Sequence, residues 1–243
     1  MSARFTWLGH STFRVETPGG KVILIDPWVQ SNPACPDSEK EFDQMDYMLC
    51  THGHYDHIQD AVVLAQKYKP KVIAILELCK WLENKGVENL VPMNLGGTFE
   101  VDGIAITMVR ADHSCGIIEP DGNLTYGGHA CGYVVTLENH TAFYHAGDTA
   151  VFSDMKLIAE IYRPALAMLP IGDRFTMSPR EAVYACQLLG CNNVIPMHHD
   201  TFDSLTGTPQ EFRALSRYLV GMNIIDLLPG QSHVLSGAEH GLG

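Results

Sequence analysis

The segment 51–57 places three imidazoles and one carboxylate within six residues: His52, His54, Asp56 and His57. It directly follows a short apolar run that is typical of a strand. Alternate side chains of an extended segment point to the same side, so the first three can converge, and His57 joins them where a helix begins. Neutral imidazole and carboxylate are the usual ligands of zinc and other divalent first-row metals. The pattern therefore predicts a metal site.

One such run cannot complete the coordination of two metal ions, so further ligands are expected at the ends of later strands. Three candidates follow apolar, strand-like runs: His113, Asp148 and His198. His199 is an alternative ligand to its neighbour His198, and we favour His198. The whole set offers seven nitrogen and oxygen ligands and no sulfur, which suits zinc, manganese, iron or nickel.

The size and composition of the chain limit the classes of protein it can be. At 243 residues it is near the upper size for one hydrophobic core, so we expect a single domain over 1–243. The net charge of −12 argues against a nucleic-acid partner, since phosphate-backbone binding depends on clustered Lys and Arg. A pair of bound cations would offset this charge locally, which leaves an anionic small-molecule substrate open.

The cysteines and the apolar segments indicate the cellular compartment and whether the chain enters a membrane. Seven cysteines, an odd count without a CxxC pair, favour reduced thiols in a cytoplasmic protein. No segment approaches the roughly 20 apolar residues of a membrane span, and the first residues lack a signal peptide, so we expect no membrane partner. A homo-oligomer remains open.

Hydrophobic periodicity predicts a mixture of strands and helices that must position these side chains. The predicted strands are 5–8, 12–17, 21–26, 47–51, 72–76, 98–101, 104–110, 133–137, 141–145, 165–169, 194–197 and 224–228. Helices are predicted at 57–68 and 77–85. Two more should begin at Ser178 and Thr208, each a hydroxyl N-cap followed by Pro and then by Glu at the third helical position. The polar, Gly-rich stretch 114–128 is interpreted as a functional loop.

Several short motifs resemble the metallo-β-lactamase superfamily, in particular an uncharacterised subgroup of metal-dependent hydrolases similar to the L-ascorbate-6-phosphate lactonases. The resemblance covers essentially the whole chain and implies an α/β fold, a four-layer αββα sandwich with two facing sheets and helices outside. The motifs that carry it are Leu8-Gly9-His10-Ser11, Leu24-Ile25-Asp26-Pro27, His145-Ala146-Gly147-Asp148-Thr149, Leu169-Pro170-Ile171-Gly172 and Ile195-Pro196-Met197-His198.

The same resemblance implies two divalent metal ions per chain, with zinc expected first. The first ion would be held by His52, His54 and His113. The second would be held by Asp56, His57 and His198. Asp148 would bridge both ions.

Four other residues are candidates for supporting roles. Asp26 ends a strand, where it would accept hydrogen bonds that hold the ligand loop; the alternative is a simple turn aspartate before Pro27. The resemblance places His10 near the metal site, although a buried structural histidine is an equal alternative. His199 would line the pocket or contact substrate, or be a satisfied buried imidazole. Arg174 would clamp a carboxylate or phosphate, or form a surface salt bridge.

These residues predict a hydrolase that uses a metal-bridging hydroxide on a lactone, ester, amide or phosphoester. Asp56 and Asp148 would act in catalysis, the former by orienting the nucleophile. Two alternatives stay open: a non-catalytic metal-binding or ligand-sensing protein, and a phosphodiesterase or nuclease of the same fold. An open coordination position that faces a pocket would favour catalysis.

Overall fold

Two large sheets face each other in the computed structural model, which describes residues 2–237. The predicted α/β class and the αββα sandwich are confirmed. Within these residues the strands are β1 Ser2–Trp7, β2 Phe13–Glu16, β3 Val22–Ile25, β4 Tyr47–Leu49, β5 Lys71–Ile75, β6 Leu90–Met93, β7 Thr98–Val101, β8 Ile104–Arg110, β9 Gly116–Ile118, β10 Leu124–Tyr126, β11 Cys131–Thr136, β12 Ala142–His145, β13 Leu166–Pro170, β14 Asn193–Met197, β15 Asn223–Ile224 and β16 Ser232–Ser236. The α-helices are α1 Tyr55–Ile58, α2 Ala61–Tyr68, α3 Leu76–Asn84, α4 Met155–Tyr162, α5 Pro179–Leu189 and α6 Pro209–Leu215.

Each sheet has seven strands and combines antiparallel and parallel pairing. The first has the order β16-β1-β2-β3-β4-β5-β6 and the second the order β15-β14-β13-β12-β11-β8-β7. Strands β3 to β6 run parallel to one another, as do β12 to β15. Because ligands of parallel sheets bind outside the carboxyl ends of the strands, the loops after β3, β4, β12 and β14 are the ones that can build a site.

The two sheets share one continuous apolar core. The ring of Phe5 in β1 meets the ring of Phe143 in β12 edge-on, with centroids 5.0 Å apart. The buried hydroxyl of Tyr133 donates hydrogen bonds to the carbonyls of Cys50 and Ile73 in the opposite sheet, at 2.9 and 3.1 Å. The single domain predicted for 1–243 remains a prediction, which this shared core supports.

The predicted helix 57–68 is wrong in its extent, because the chain forms two helices there. Asp60 lies between them, and its Oδ2 accepts the backbone N–H groups of Val29 and Gln30 at 2.6 and 2.7 Å. This tertiary contact outweighs the apolar period that runs across both helices. It also ties the ligand-bearing helix α1 to the loop that follows β3.

Four other segments also differ from the prediction. The stretch 114–128 contains the hairpin β9–β10 and is not a structureless loop. Strands β6 and β16 were missed because Pro92 and the polar residues of β16 obscure an alternating pattern. The strand predicted at 224–228 shortens to Asn223–Ile224 at the sheet edge.

Both predicted helix starts are confirmed. Ser178 Oγ accepts the N–H of Glu181 at 3.3 Å, and the Glu181 carboxylate accepts the N–H of Ser178 at 2.9 Å. Thr208 caps α6 through the N–H of Glu211 at 3.1 Å. All seven cysteines are buried and free, as the reduced-thiol prediction requires.

Among residues 2–237, no helix has both the length and the apolar character needed to cross a membrane.

Candidate metal centre

The seven predicted ligands meet at the carboxyl ends of strands from both sheets. The run that begins at His52 follows β4 and enters α1. His113 follows β8, Asp148 follows β12 and His198 follows β14. The sandwich therefore brings together side chains that lie up to 146 residues apart in sequence, from His52 to His198 (198 − 52).

The first group of side chains is His52, His54 and His113. Nδ1 of His54 lies 3.0 Å from Nε2 of His52 and 3.3 Å from Nε2 of His113. Two donor atoms on a tetrahedral ion with metal–nitrogen bonds of about 2.0–2.1 Å are about 3.4 Å apart. Nδ1 of His54 thus has the spacing of a shared ligand sphere to both other nitrogens, and the ligand atoms of the three histidines lie within 4.8 Å of one another.

The second group contains Asp56, His57 and His198, together with His10. Oδ2 of Asp56 lies 4.0 Å from Nε2 of His57 and 4.0 Å from Nε2 of His198. These wider separations leave space between the three donors. The structure thus gathers the predicted ligands into the two groups that the resemblance implies, and metal binding by them stays a prediction.

Asp148 lies between the two groups. Its Oδ2 is 3.0 Å from Nε2 of His198, 3.3 Å from that of His57, 3.6 Å from that of His113 and 3.9 Å from that of His52. The Oδ1 of Asp148 is buried without a hydrogen-bond partner, and the buried Nε2 of His57 makes no hydrogen bond despite its short distance to Oδ2 of Asp148. Buried polar atoms are rarely left unpaired, and a carboxylate ringed by imidazoles suits a bridge between two cations. The residues fit a dinuclear metal site.

The charge states of these groups are set by burial and by each other. Burial would raise the pKa of Asp148, but the imidazoles of His198 and His57 outweigh it and hold that pKa well below its usual range. Burial, reinforced by His57, lowers the pKa of His52 well below that of a free imidazole. An ionised carboxylate and a neutral imidazole are the forms that bind metal.

Asp26 and Thr51 orient two of the imidazoles from behind. Asp26 Oδ1 accepts the N–H of Thr51 at 2.8 Å, and Asp26 Oδ2 accepts the Thr51 hydroxyl and Nδ1–H of His57, each at 2.8 Å. The Thr51 oxygen in turn lies 3.0 Å from Nδ1 of His52. With each Nδ1 engaged as a donor, the Nε2 atoms of both rings face the cluster as the potential ligand atoms. The predicted loop-holding contacts of Asp26 are present.

Three residues of the site have backbone conformations that side chains disfavour. His10, Asp26 and His198 have φ angles of 54°, 50° and 56°. The left-handed region costs an ordinary residue roughly 1–3 kcal/mol, and such residues concentrate at functional sites. The chain turns sharply at each of them, which directs the side chains inward at the strand ends.

Two alternatives were considered for His10: a position near the metal site and a buried structural role. Both hold, because His10 is buried and also contacts the cluster. Its Nε2 donates to Oδ2 of Asp56 at 3.0 Å, and its Nδ1 lies 3.0 Å from the hydroxyl of Thr201. Its carbonyl accepts the N–H of His198 at 3.0 Å. Burial, aided by the neighbouring His198, lowers the pKa of His10 to about 4. A neutral His10 thus positions both Asp56 and His198.

The structure separates the two adjacent histidines. His198 faces Asp148, whereas the ring of His199 turns away, 4.9 Å from the indole of Trp7, with Nδ1 2.7 Å from Oδ2 of Asp200. His199 is absent from the groups of potential ligands found within residues 2–237. This geometry favours His198 as the ligand and gives His199 a packing role.

Arg174 lies at the surface next to the site and does not line it. Its guanidinium sits 5.5 Å from the ring centre of Phe175, and it is Phe175 that lines the cavity. Contact between Arg174 and a substrate stays a prediction.

The cluster opens into a cavity of about 460 Å³. Five of the seven predicted ligands line it, whereas His52 and His57 are fully buried behind them. The other lining residues were not predicted from the sequence: Tyr55, Ser114, Gly116, Ile118, Phe175, Phe202 and Ser204. No local pattern marks them. Tyr55 lies inside the ligand run, and Ser114, Gly116 and Ile118 lie in the stretch 114–128 that was interpreted as a functional loop.

Comparison with known proteins identifies the family. Residues 21–199 match the β-lactamase superfamily domain. A UPF0173 metal-dependent hydrolase of Koribacter versatilis is 54% identical over 229 residues, which cover 94% of this chain and 97% of that protein. Another from Solibacter usitatus is 51% identical over 214 residues, covering 88% and 92%. The chain belongs to the UPF0173 metal-dependent hydrolases of the metallo-β-lactamase superfamily, and the predicted resemblance is confirmed.

A solved structure supports the same conclusion at the level of the fold. Igni18, a metallo hydrolase from the hyperthermophilic archaeon Ignicoccus hospitalis, aligns with a TM-score of 0.85 and 33% sequence identity. The alignment covers 97% of this chain and 99% of Igni18. The whole sandwich, and not one sheet alone, is therefore similar to a metallo hydrolase.

Proposed function

We propose that this metal-dependent hydrolase holds two divalent cations, zinc first among them, and cleaves a small-molecule ester, lactone, amide or phosphoester. Manganese, iron and nickel suit the same nitrogen and oxygen donors. The observation that carries the proposal is the position of Asp148. Its carboxylate lies between two groups of imidazoles, and five predicted ligands face one cavity.

The bound cations would supply an acidified water as nucleophile and would polarise the substrate oxygen. The residues of the chain would orient the attacking water and bind the substrate. Asp56 faces the cavity with one oxygen fixed by His10, so its carboxylate is placed to orient the attacking water by a hydrogen bond. Burial opposes its ionisation, yet the hydrogen bond from His10 and the imidazole of His57 hold the pKa of Asp56 well below its usual range. Asp56 would therefore act as a fixed acceptor at neutral pH.

Two hydroxyl groups at the cavity wall are available to bind substrate oxygens. Ser114 and Ser204 both line the cavity, and the Ser114 oxygen lies 3.3 Å from Nε2 of His54. His54 and Ser114 thereby form a polar edge beside the first group of ligands. The oxygens of a bound ester or phosphoester would find donors there.

The cavity distinguishes this proposal from its rivals. A purely structural metal site is closed by protein ligands, whereas a catalytic site keeps a position open to a pocket. The exposure of five ligand side chains to the cavity supports catalysis over metal storage or sensing. A nuclease would need a basic surface for the phosphate backbone, and the net charge of −12 argues against it.

The experiment removes metal by chelation, assays a panel of esters, lactones, amides and phosphoesters, and then restores zinc or manganese. Turnover should vanish with the metal and return with it, and His54→Ala should remain inactive throughout. His140→Ala, at a β-hairpin turn outside the cavity, is the control and should behave as wild type. Turnover that survives both full demetallation and His54→Ala would contradict the proposal.

A further inference from the structure

One wall of the cavity is apolar and held in place by a buried tryptophan. Phe202 stacks on Trp28 with ring centroids 5.8 Å apart and an interplanar angle of 19°. Tyr55 meets the same indole edge-on at 6.0 Å, and the indole N–H donates to the hydroxyl of Ser31 at 2.9 Å. Because Trp28 is buried and hydrogen-bonded, it fixes the two rings in front of it. This wall is preorganised before any ligand binds.

The mouth of the cavity carries further apolar side chains that face solvent. Tyr55 and Phe175 are each 54% exposed, and Ile118 in β9 is 69% exposed. All three line the same opening. Scattered apolar residues are ordinary on a surface, but several around one cavity next to a reactive cluster are typical of a ligand site.

The charged residues that line the cavity limit which substrate groups can bind there. Among residues 2–237, no lysine or arginine lines the cavity, and its charged members are the carboxylates Asp56 and Asp148 and the histidines of the cluster. Lys85, near the hairpin, is already paired with Glu119 at 2.9 Å. Sites that bind phosphate or carboxylate groups away from a metal use Arg or Lys donors. The part of a substrate that extends beyond the metal cluster meets no such group here.

Building on the proposed function, the geometry points to an uncharged substrate: a carboxylic ester, lactone or amide whose apolar group lies on the wall of Tyr55, Ile118, Phe175 and Phe202. This proposal disfavours the anionic alternative that the sequence left open, in which Arg174 beside Phe175 would hold a carboxylate or phosphate. In the reaction the oxygen of one water bonds to the acyl carbon, and the bond from that carbon to the leaving oxygen or nitrogen breaks. One proton of the water goes to the leaving atom and the other to solvent, which yields a carboxylate.

The first test compares uncharged and phosphorylated substrates with the metal-loaded protein. We expect kcat/KM for p-nitrophenyl acetate, butyrate and hexanoate to rise by about threefold to fourfold for each added methylene, the effect of burying one such group. p-Nitrophenyl phosphate should be turned over more slowly than any of these esters. A metal-dependent preference for the phosphate, or no dependence on chain length, overturns this inference while leaving the proposed function intact.

The second test assigns the effect to the wall with a matched pair of isoleucines. Ile118→Ser should reduce the gain per methylene to about half or less, since Ile118 lines the cavity. Ile161→Ser is the control, because Ile161 is 66% exposed on α4 and lies outside the cavity. Equal chain-length dependence in the two variants contradicts the assignment of the wall.

A binding measurement separates failure of the substrate class from failure of the proposed hydrolysis. Calorimetric titration of acetamide, butyramide and hexanamide into the chelator-treated protein needs no turnover. Affinity that rises with chain length in wild type and in Ile161→Ser, but not in Ile118→Ser, supports the apolar wall even if no ester is cleaved. Affinity independent of chain length in all three proteins overturns the inference.

Discussion

Oδ2 of Asp26 lies 2.8 Å from Nδ1 of His57, and both side chains are fully buried. The same carboxylate accepts two hydrogen bonds from Thr51, which precedes the ligand run. One residue at the end of β3 therefore fixes both the backbone that carries the ligands and the ring orientation of one of them. Partners of this kind fix the orientation of a ligand ring and raise its basicity, so they tune metal affinity.

Asp26→Asn is expected to lower metal affinity by about 10- to 100-fold. The NH2 group of the amide cannot accept a hydrogen bond, so either the Thr51 N–H at one oxygen position or the Thr51 hydroxyl and His57 at the other lose their acceptor. Asp46→Asn is the control, because Asp46 also accepts a backbone N–H, from Val22 at 2.8 Å, but lies outside the cluster. Competition with a chromophoric chelator measures the affinity of each protein. Equal affinities in the two variants would show that the Asp26 contact does not tune the site.

The adjacent histidines give a second prediction. His198→Ala removes a donor that lies 3.0 Å from Asp148 and should reduce the bound metal to about one ion per chain or fewer. His199→Ala removes a ring that packs against Trp7, so it should lower stability and leave the metal content unchanged. Elemental analysis of the two purified variants measures the number of metal ions bound per chain. Loss of metal in His199→Ala with retention in His198→Ala would reverse the assignment.

The third prediction concerns the pH dependence of stability in the metal-free protein. His145 is fully buried, donates from Nε2 to the carbonyl of Ser11 at 3.0 Å, and accepts the N–H of Gly147 at Nδ1 at 3.2 Å. Burial lowers the pKa of His145, and protonation of Nδ1 would break the contact with Gly147. The unfolded chain then binds the proton more readily than the folded one. The stabilisation is present above about pH 6.5 and is lost as the pH falls below that value.

Urea unfolding in the presence of chelator, repeated between pH 7.5 and 5 (roughly the range of histidine titration), measures this effect. Wild type should lose free energy of unfolding more steeply than His145→Gln, by up to about 1.4 kcal/mol per pH unit. Taking the difference between the two proteins cancels the contributions of the histidines that they share. Parallel curves would mean that His145 titrates alike in the folded and unfolded chains.

The sequence predicted which side chains would meet at the candidate site because part of the signal is local and the rest lies at strand ends. His52, His54 and Asp56 stand at alternate positions, and Asp148 follows a recognisable strand. Strand ends of parallel sheets meet by geometry, so the side chains placed there converge whatever the loops do. The predicted class of fold followed from the same ordered motifs.

The parts that escaped prediction depend on contacts between distant segments. The break in the helix at Asp60 follows from hydrogen bonds to Val29 and Gln30, which no periodicity records. The apolar wall likewise joins Trp28 to Phe202, 174 residues further along the chain (202 − 28). Loop conformations decide such contacts, and sequence patterns carry little information about them.

Anomalous diffraction from crystals of the zinc-loaded protein, recorded on both sides of the zinc edge, tests the central claim most directly. Two peaks are expected, one among His52, His54 and His113 and the other among Asp56, His57 and His198, with the Asp148 carboxylate in contact with both. A single peak, or an Asp148 side chain that contacts neither ion, would contradict the dinuclear centre.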